Sequence, residues 1–205
     1  QNKALELSMF LSIPASVALV IGSEQIISAL FGYGSFTENS VFNSSNALYY
    51  FGLGLPAFAL IKVFSTFFFA NHDTKTPFYI SLFSVLLNIL ISVYFFKDIG
   101  FIIIPIATTI SSWFNSLILF LYLKNNNLFE FNEIFFKKFV KIIFASIIMG
   151  VFFKYLILFF ENQLSYTYLF KSVYLVLCVL LTIIFYFVLS FFIKAFNYQD
   201  IKLKY

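Results

Sequence analysis

Two apolar runs, residues 47 to 70 and 78 to 96, are separated by only seven residues, Asn71-His72-Asp73-Thr74-Lys75-Thr76-Pro77, and this spacing constrains the fold more than any other feature. Each run approaches or exceeds the about 20 residues that an α-helix needs to cross a hydrocarbon core of roughly 30 Å. The break between them is a turn with helix-start chemistry. Pro77 lacks an amide donor and pushes Thr76 away from the α region. Thr76 is therefore expected to cap the next helix, with Pro77 at its first position, where the missing N–H costs nothing. His72, the only histidine, reads as a solvated turn residue.

The same pattern repeats along the chain. Charged residues make up 11% and hydrophobic ones 61%, against about a quarter charged in soluble domains, and the mean hydropathy is +0.95. The expected fold class is all-α, a polytopic membrane bundle of six transmembrane helices. Crossings are expected at about 4–21, 47–70, 78–96, 101–123, 139–160 and 172–193. The first apolar run, Ala4 to Phe31, is too long for one crossing. Gly22-Ser23-Glu24 offers a break, with Ser23 as cap and Glu24 in the first turn of an interfacial helix over 24–31.

Lysine placement sets the expected orientation, because basic residues accumulate in short cytoplasmic loops. With the first residue inside, nine lysines fall on the cytoplasmic side and only Lys97 and Lys171 outside. Both ends and the Asp73 turn are then cytoplasmic, and the Gly32 to Asn46 connection is external. The chain begins at Gln1 without a signal-peptide pattern and is expected to be the C-terminal part of a longer protein.

Catalysis finds little support. One His and one Cys cannot build a Cys/His zinc site, no phosphate-cradling glycine loop occurs, and no metal, cofactor or nucleic-acid partner is expected. Glu130 and Glu133 beside Lys137 and Lys138 read as a solvated charge cluster. Lys62 is the costly group, about 12 Å from the end of its helix. It either snorkels to the interface or faces a wet cavity and meets an anionic cargo. Ser81, Ser84, Asn88 and Ser92 form a polar stripe on one helix, and Thr108, Ser111 or Ser112 and Asn115 another on the next. Such stripes avoid lipid, so they pack on a neighbour or line a cavity. Ser146 and Gly150 form a small-xxx-small contact.

Four stretches together resemble the C-terminal lobe of the MviN/MurJ-type lipid II flippases, within the multidrug, oligosaccharidyl-lipid and polysaccharide exporter superfamily. They are Ile13-Pro14-Ala15-Ser16; Ser23 to Ile27 leading to Leu30-Phe31-Gly32-Tyr33-Gly34-Ser35-Phe36-Thr37; Asp73 to Pro77; and Phe144 to Gly150. The resemblance implies a two-lobed transporter of about fourteen helices working by alternating access in the bacterial inner membrane. Its cargo would be lipid II, an undecaprenyl-pyrophosphate-linked disaccharide-pentapeptide, moved to the outer leaflet. Partners would be that glycolipid, membrane lipids and an N-terminal lobe not contained in this chain. Asp73, Thr74, Lys75, Thr76 and Pro77 would be a cytoplasmic gate, and Lys62, Asn88 and Asn115 candidate cavity residues. Glu24, Phe31, Gly34 and Phe36 would form an outer-loop motif, and a hydrophobic groove beside the last two helices would take the lipid tail. The family's basic cavity residues lie mostly in the other lobe. Export of another polyprenyl-linked oligosaccharide, cation-coupled drug antiport and a non-transporting cell-wall scaffold remain open alternatives.

Overall fold

The computed structural model describes residues 2–126, 128 and 133–195. Six long helices form: α1 (Asn2–Phe31), α2 (Glu38–Ala70), α3 (Lys75–Ile99), α4 (Ile103–Asn125), α5 (Glu133–Phe159) and, after the short α6 (Glu161–Leu164), α7 (Lys171–Phe192). A 3-10 turn, Gly100–Ile102, joins α3 to α4, and no strand occurs among the described residues. Five stretches are apolar and long enough to cross a membrane, one of them being the 51 residues Lys75–Asn125. As one straight helix that stretch would be about 75 Å long, more than twice the hydrocarbon thickness. It folds back at Gly100, which takes a φ of +74°. Its halves pair antiparallel, Ser81 beside Asn115 and Asn88 beside Thr108. The fold is thus the expected all-α, multi-pass bundle.

Several boundaries differ from the sequence reading. α1 does not break at Gly22-Ser23-Glu24; the expected crossing over 4–21 and interfacial helix over 24–31 are one helix of 30 residues. The reason lies in packing: a Cβ on Gly22 would come within 2.6 Å of the Phe153 ring on α5. Gly22 admits a neighbour and turns nothing. α2 starts at Glu38, well before residue 47, because the Thr37 hydroxyl accepts the amide of Ser40 at 3.3 Å and Glu38 suits the positive end of the helix. The connection is therefore only residues 32–37. α5 likewise starts at Glu133, ahead of residue 139. Glu130, the side chain of Glu133, Lys202 and Lys204 lie outside the described residues.

Lipid tails are as apolar as leucine, so helices in a membrane associate through close fit and polar links. The α1–α5 contact shows the first. Ser146 is fully buried, and a Cβ on Gly150 would meet Val17 at 2.6 Å. The prolines show the second. Pro14 carries no amide, which orphans the carbonyl of Phe10 one turn earlier. The buried Tyr186 hydroxyl of α7 donates to that carbonyl at 2.9 Å. Pro56 orphans Gly52 in the same way, and Ser16 of α1 donates to the Gly52 carbonyl at 2.7 Å. Two more carbonyls beside Pro56 are held by α4: Thr109 donates to Tyr50 and Trp113 to Leu53. Each internal proline of α1 and α2 thus marks where two helices are stitched together.

Candidate functional site

The turn between α2 and α3 is built from two interlocked caps. At the end of α2 the His72 amide donates to Phe69 and the Asp73 amide to Phe68, both at 3.0 Å, with His72 at a φ of +59°. This is the Schellman arrangement, with histidine in the left-handed position that glycine usually fills. Asp73 then turns its carboxylate to the start of α3, accepting the amides of Lys75 at 3.1 Å and Thr76 at 3.0 Å. The expected cap was Thr76, with Pro77 first in the helix. Asp73 takes that role because α3 begins at Lys75, which puts Pro77 in its third position, still within the first turn where no amide partner is needed. Hydrogen bonds from the Thr76 side chain and amide, with a smaller contribution from Lys75, hold the Asp73 carboxyl below its ordinary value of 3.8. Thr74 lies between the caps and makes no side-chain cap bond.

Lys62 stands eight residues before the end of α2, exposed, with no hydrogen bond or ion pair among the described residues. The polar stripes of α3 and α4 face each other. The Asn88 amide donates to Thr108 at 3.0 Å and Ser111 at 3.4 Å, and Asn115 donates to Ser81 at 3.4 Å. Asn88 stays half-buried, whereas Asn115 is 7% exposed and turned into the lobe. Packing between α3 and α4 accounts for these contacts. Lys62 and the asparagines are not brought into one cluster.

At the opposite end of the bundle, the 32–37 loop is locked to the start of α7. Lys171 is 1% exposed, and its ammonium donates to the carbonyls of Gly32 and Tyr166, each at 2.6 Å. The ammonium also lies 4.5 Å from the ring centre of Tyr33 and 4.6 Å from that of Tyr166. Two carbonyls and two aromatic faces replace its water. Tyr33 and Ser172 share a hydrogen bond of 2.6 Å, and the Tyr166 hydroxyl donates to Phe36 at 2.7 Å. Within the loop Gly34 takes a φ of +61°, and the Phe31 and Phe36 rings sit 6.3 Å apart. Glu24 is outside this clamp, on the wall of a neighbouring cavity.

The family model described as lipid II flippase MurJ matches residues 1–175. The chain belongs to the MurJ lipid II flippase family. A probable lipid II flippase MurJ of Rhizobium tropici is 33% identical over 197 residues, 94% of this chain and 37% of the relative. One from Rickettsia prowazekii is 37% identical over 122 residues, 60% of this chain and 24% of the relative. A solved structure titled lipid II flippase MurJ, inward closed conformation, superposes with a TM-score of 0.76 at 27% identity, covering 94% of this chain and 38% of that one. The chain thus spans between about a fifth and two fifths of the curated relatives it matches.

Two apolar cavities flank α5 in this MurJ-family chain. A smaller one of about 230 Å³ lies between α1, α5 and α7, lined by Phe10, Pro14, Met149 and Tyr186. The larger, about 830 Å³, lies between α1, α2, α4 and α5, lined by Met9, Pro56, Phe64, Phe120 and Phe139. Sequence reasoning missed the larger cavity, because it is a product of how four helices diverge. It also missed Lys171, although a signal existed: a lysine in the first turn of a helix stands at the wrong end of the dipole. Glu6 and Lys138 pair at 2.8 Å between α1 and α5, a partner that the reading of Lys138 beside Glu130 and Glu133 did not supply.

Proposed function

We propose that this chain forms the lobe of a lipid II flippase that works with an N-terminal lobe of the same protein. The family match over residues 1–175 carries this reading. The whole transporter moves the undecaprenyl-pyrophosphate-linked precursor from the inner to the outer leaflet of the bacterial cytoplasmic membrane by alternating access, the lobes rocking about a central cavity. Both ends of the chain and the Asp73 turn face the cytoplasm, a reading supported by the nine-to-two distribution of loop lysines. The Asp73 to Pro77 turn is a gate element. Its double cap gives a rigid corner that moves with α2 and α3 as one piece. Lys62, unpaired among the described residues, supplies positive charge toward an anionic cargo, with Asn88 beside the cavity and Asn115 fixing the α3 face behind it. The polyprenyl tail runs along α5, where both apolar cavities lie.

The test is rescue of a bacterium depleted of its own lipid II flippase by the full-length protein, read as lipid II exposed at the outer leaflet. Restored exposure is expected. It should fall in Asp73→Ala and Lys62→Met variants that insert normally. No exposure despite good membrane expression sinks the cargo assignment; full activity of Lys62→Met sinks the cavity role of that lysine.

A further inference from the structure

A third cavity, of about 580 Å³, opens at the Gly34 end of the bundle between α1, α2, α5 and α6. Its walls divide by chemistry. Glu24, Glu38 and Glu161 stand on it, each exposed and none with an ion pair or side-chain hydrogen bond among the described residues. Phe42 and Ile157 lie in the same wall. Three carboxylates around one concavity repel one another and raise the local concentration of cations. A second observation is independent of their charge: Ser28 also lines the cavity, is 5% exposed, and has a hydroxyl with no partner among the described residues. A buried hydroxyl without a partner costs free energy unless something meets it.

We propose that this cavity binds a primary ammonium group carried on an amphiphilic body. A bare metal ion fits poorly, since the three acids are not gathered into a metal-holding cluster among the described residues. An ammonium carries three donors, enough for two carboxylates and the Ser28 oxygen, while its carbon body covers Phe42 and Ile157. Such a group has two sources at a membrane surface, the ethanolamine headgroup of a phospholipid and an amine on the peptide of the cargo. Only the second source rests on the flippase reading.

The test uses the full-length protein in phosphatidylcholine nanodiscs, which contain no primary amine, with dansyl-cadaverine as the fluorescent amine. Saturable binding is expected, weakened at least about tenfold by combined Glu24→Gln, Glu38→Gln and Glu161→Gln. Ser28→Ala should weaken it severalfold without lowering thermal stability, because that hydroxyl serves no neighbour. Displacement by phosphatidylethanolamine added to the discs assigns the lipid source; displacement by a soluble lysine-containing pentapeptide assigns the cargo. Binding that ignores the three substitutions, equal binding of the same dansyl body ending in a hydroxyl, or displacement by neither competitor overturns the proposal. Rescue by the full-length protein with no amine binding separates failure here from failure of the flippase reading.

Discussion

Tyr186 and Pro14 share one carbonyl, and that coupling can be measured. Interhelical hydrogen bonds in membranes contribute about 0.6 kcal/mol on average. Tyr186→Phe should cost more, about 1–2 kcal/mol, because it strands the buried Phe10 carbonyl that Pro14 has already deprived of its helical partner. Pro14→Ala restores the missing amide. In that background Tyr186→Phe should cost well under half as much, and equal costs in the two backgrounds would show that the carbonyl is not what links them. Asp73 gives a prediction in pH. Its folded carboxyl titrates below the ordinary 3.8, so the ionised form stabilises the turn above that value, and the contribution is lost as pH falls through the lower folded value. Amide-exchange protection at Lys75 and Thr76, corrected for intrinsic rates, should hold from neutral pH down to about 3.8 and fade below it. Asp73→Ala should show the faded level throughout.

Among the elements, α7 shows how a sequence conceals its most constrained residue. Its buried positions, Lys171, Leu175, Cys178, Thr182, Tyr186 and Ser190, recur every three or four residues, a stripe hidden because the exposed positions are equally apolar against lipid. Lys171 heads that stripe and ties α7 to the Gly32 carbonyl of the 32–37 loop and to the Tyr166 carbonyl of the connection before α7. Hydrogen bonds to a charged group contribute about 1.5–3 kcal/mol each, offset in part by desolvation of the ammonium. Lys171→Met should therefore cost about 2–3 kcal/mol. Hydrogen exchange should rise in residues 32–37 and 165–170 while the Asp73 turn stays unchanged. A rise spread over the whole bundle would instead mean that Lys171 supports general folding. What composition and spacing revealed was what depends on one segment alone: the all-α, multi-pass pattern, the place of the turn at Asp73 and the small contact at Ser146 and Gly150. Gly22 was misread because a packing glycine and a breaking glycine look alike until the Phe153 ring is placed against one of them.

For the whole molecule, the arrangement in the membrane decides which end of the bundle faces the cytoplasm. The two ends of the bundle differ in chemistry. One carries the Asp73 corner and the Glu6–Lys138 pair; the other carries the Lys171 clamp and the cavity of three glutamates. The loop lysines favour the first end as cytoplasmic, and the chain offers a clean way to test it. Cys178 is its only cysteine and is fully buried, so it should stay silent to a membrane-impermeant maleimide. Ser35→Cys and Thr74→Cys place single exposed thiols in the two opposite turns. In a full-length protein otherwise free of reactive cysteine, Ser35→Cys should label in intact spheroplasts and Thr74→Cys only after the membrane is opened. The reverse pattern would invert the lobe. It would also put the acidic cavity at the cytoplasmic face and the Asp73 corner at the opposite one.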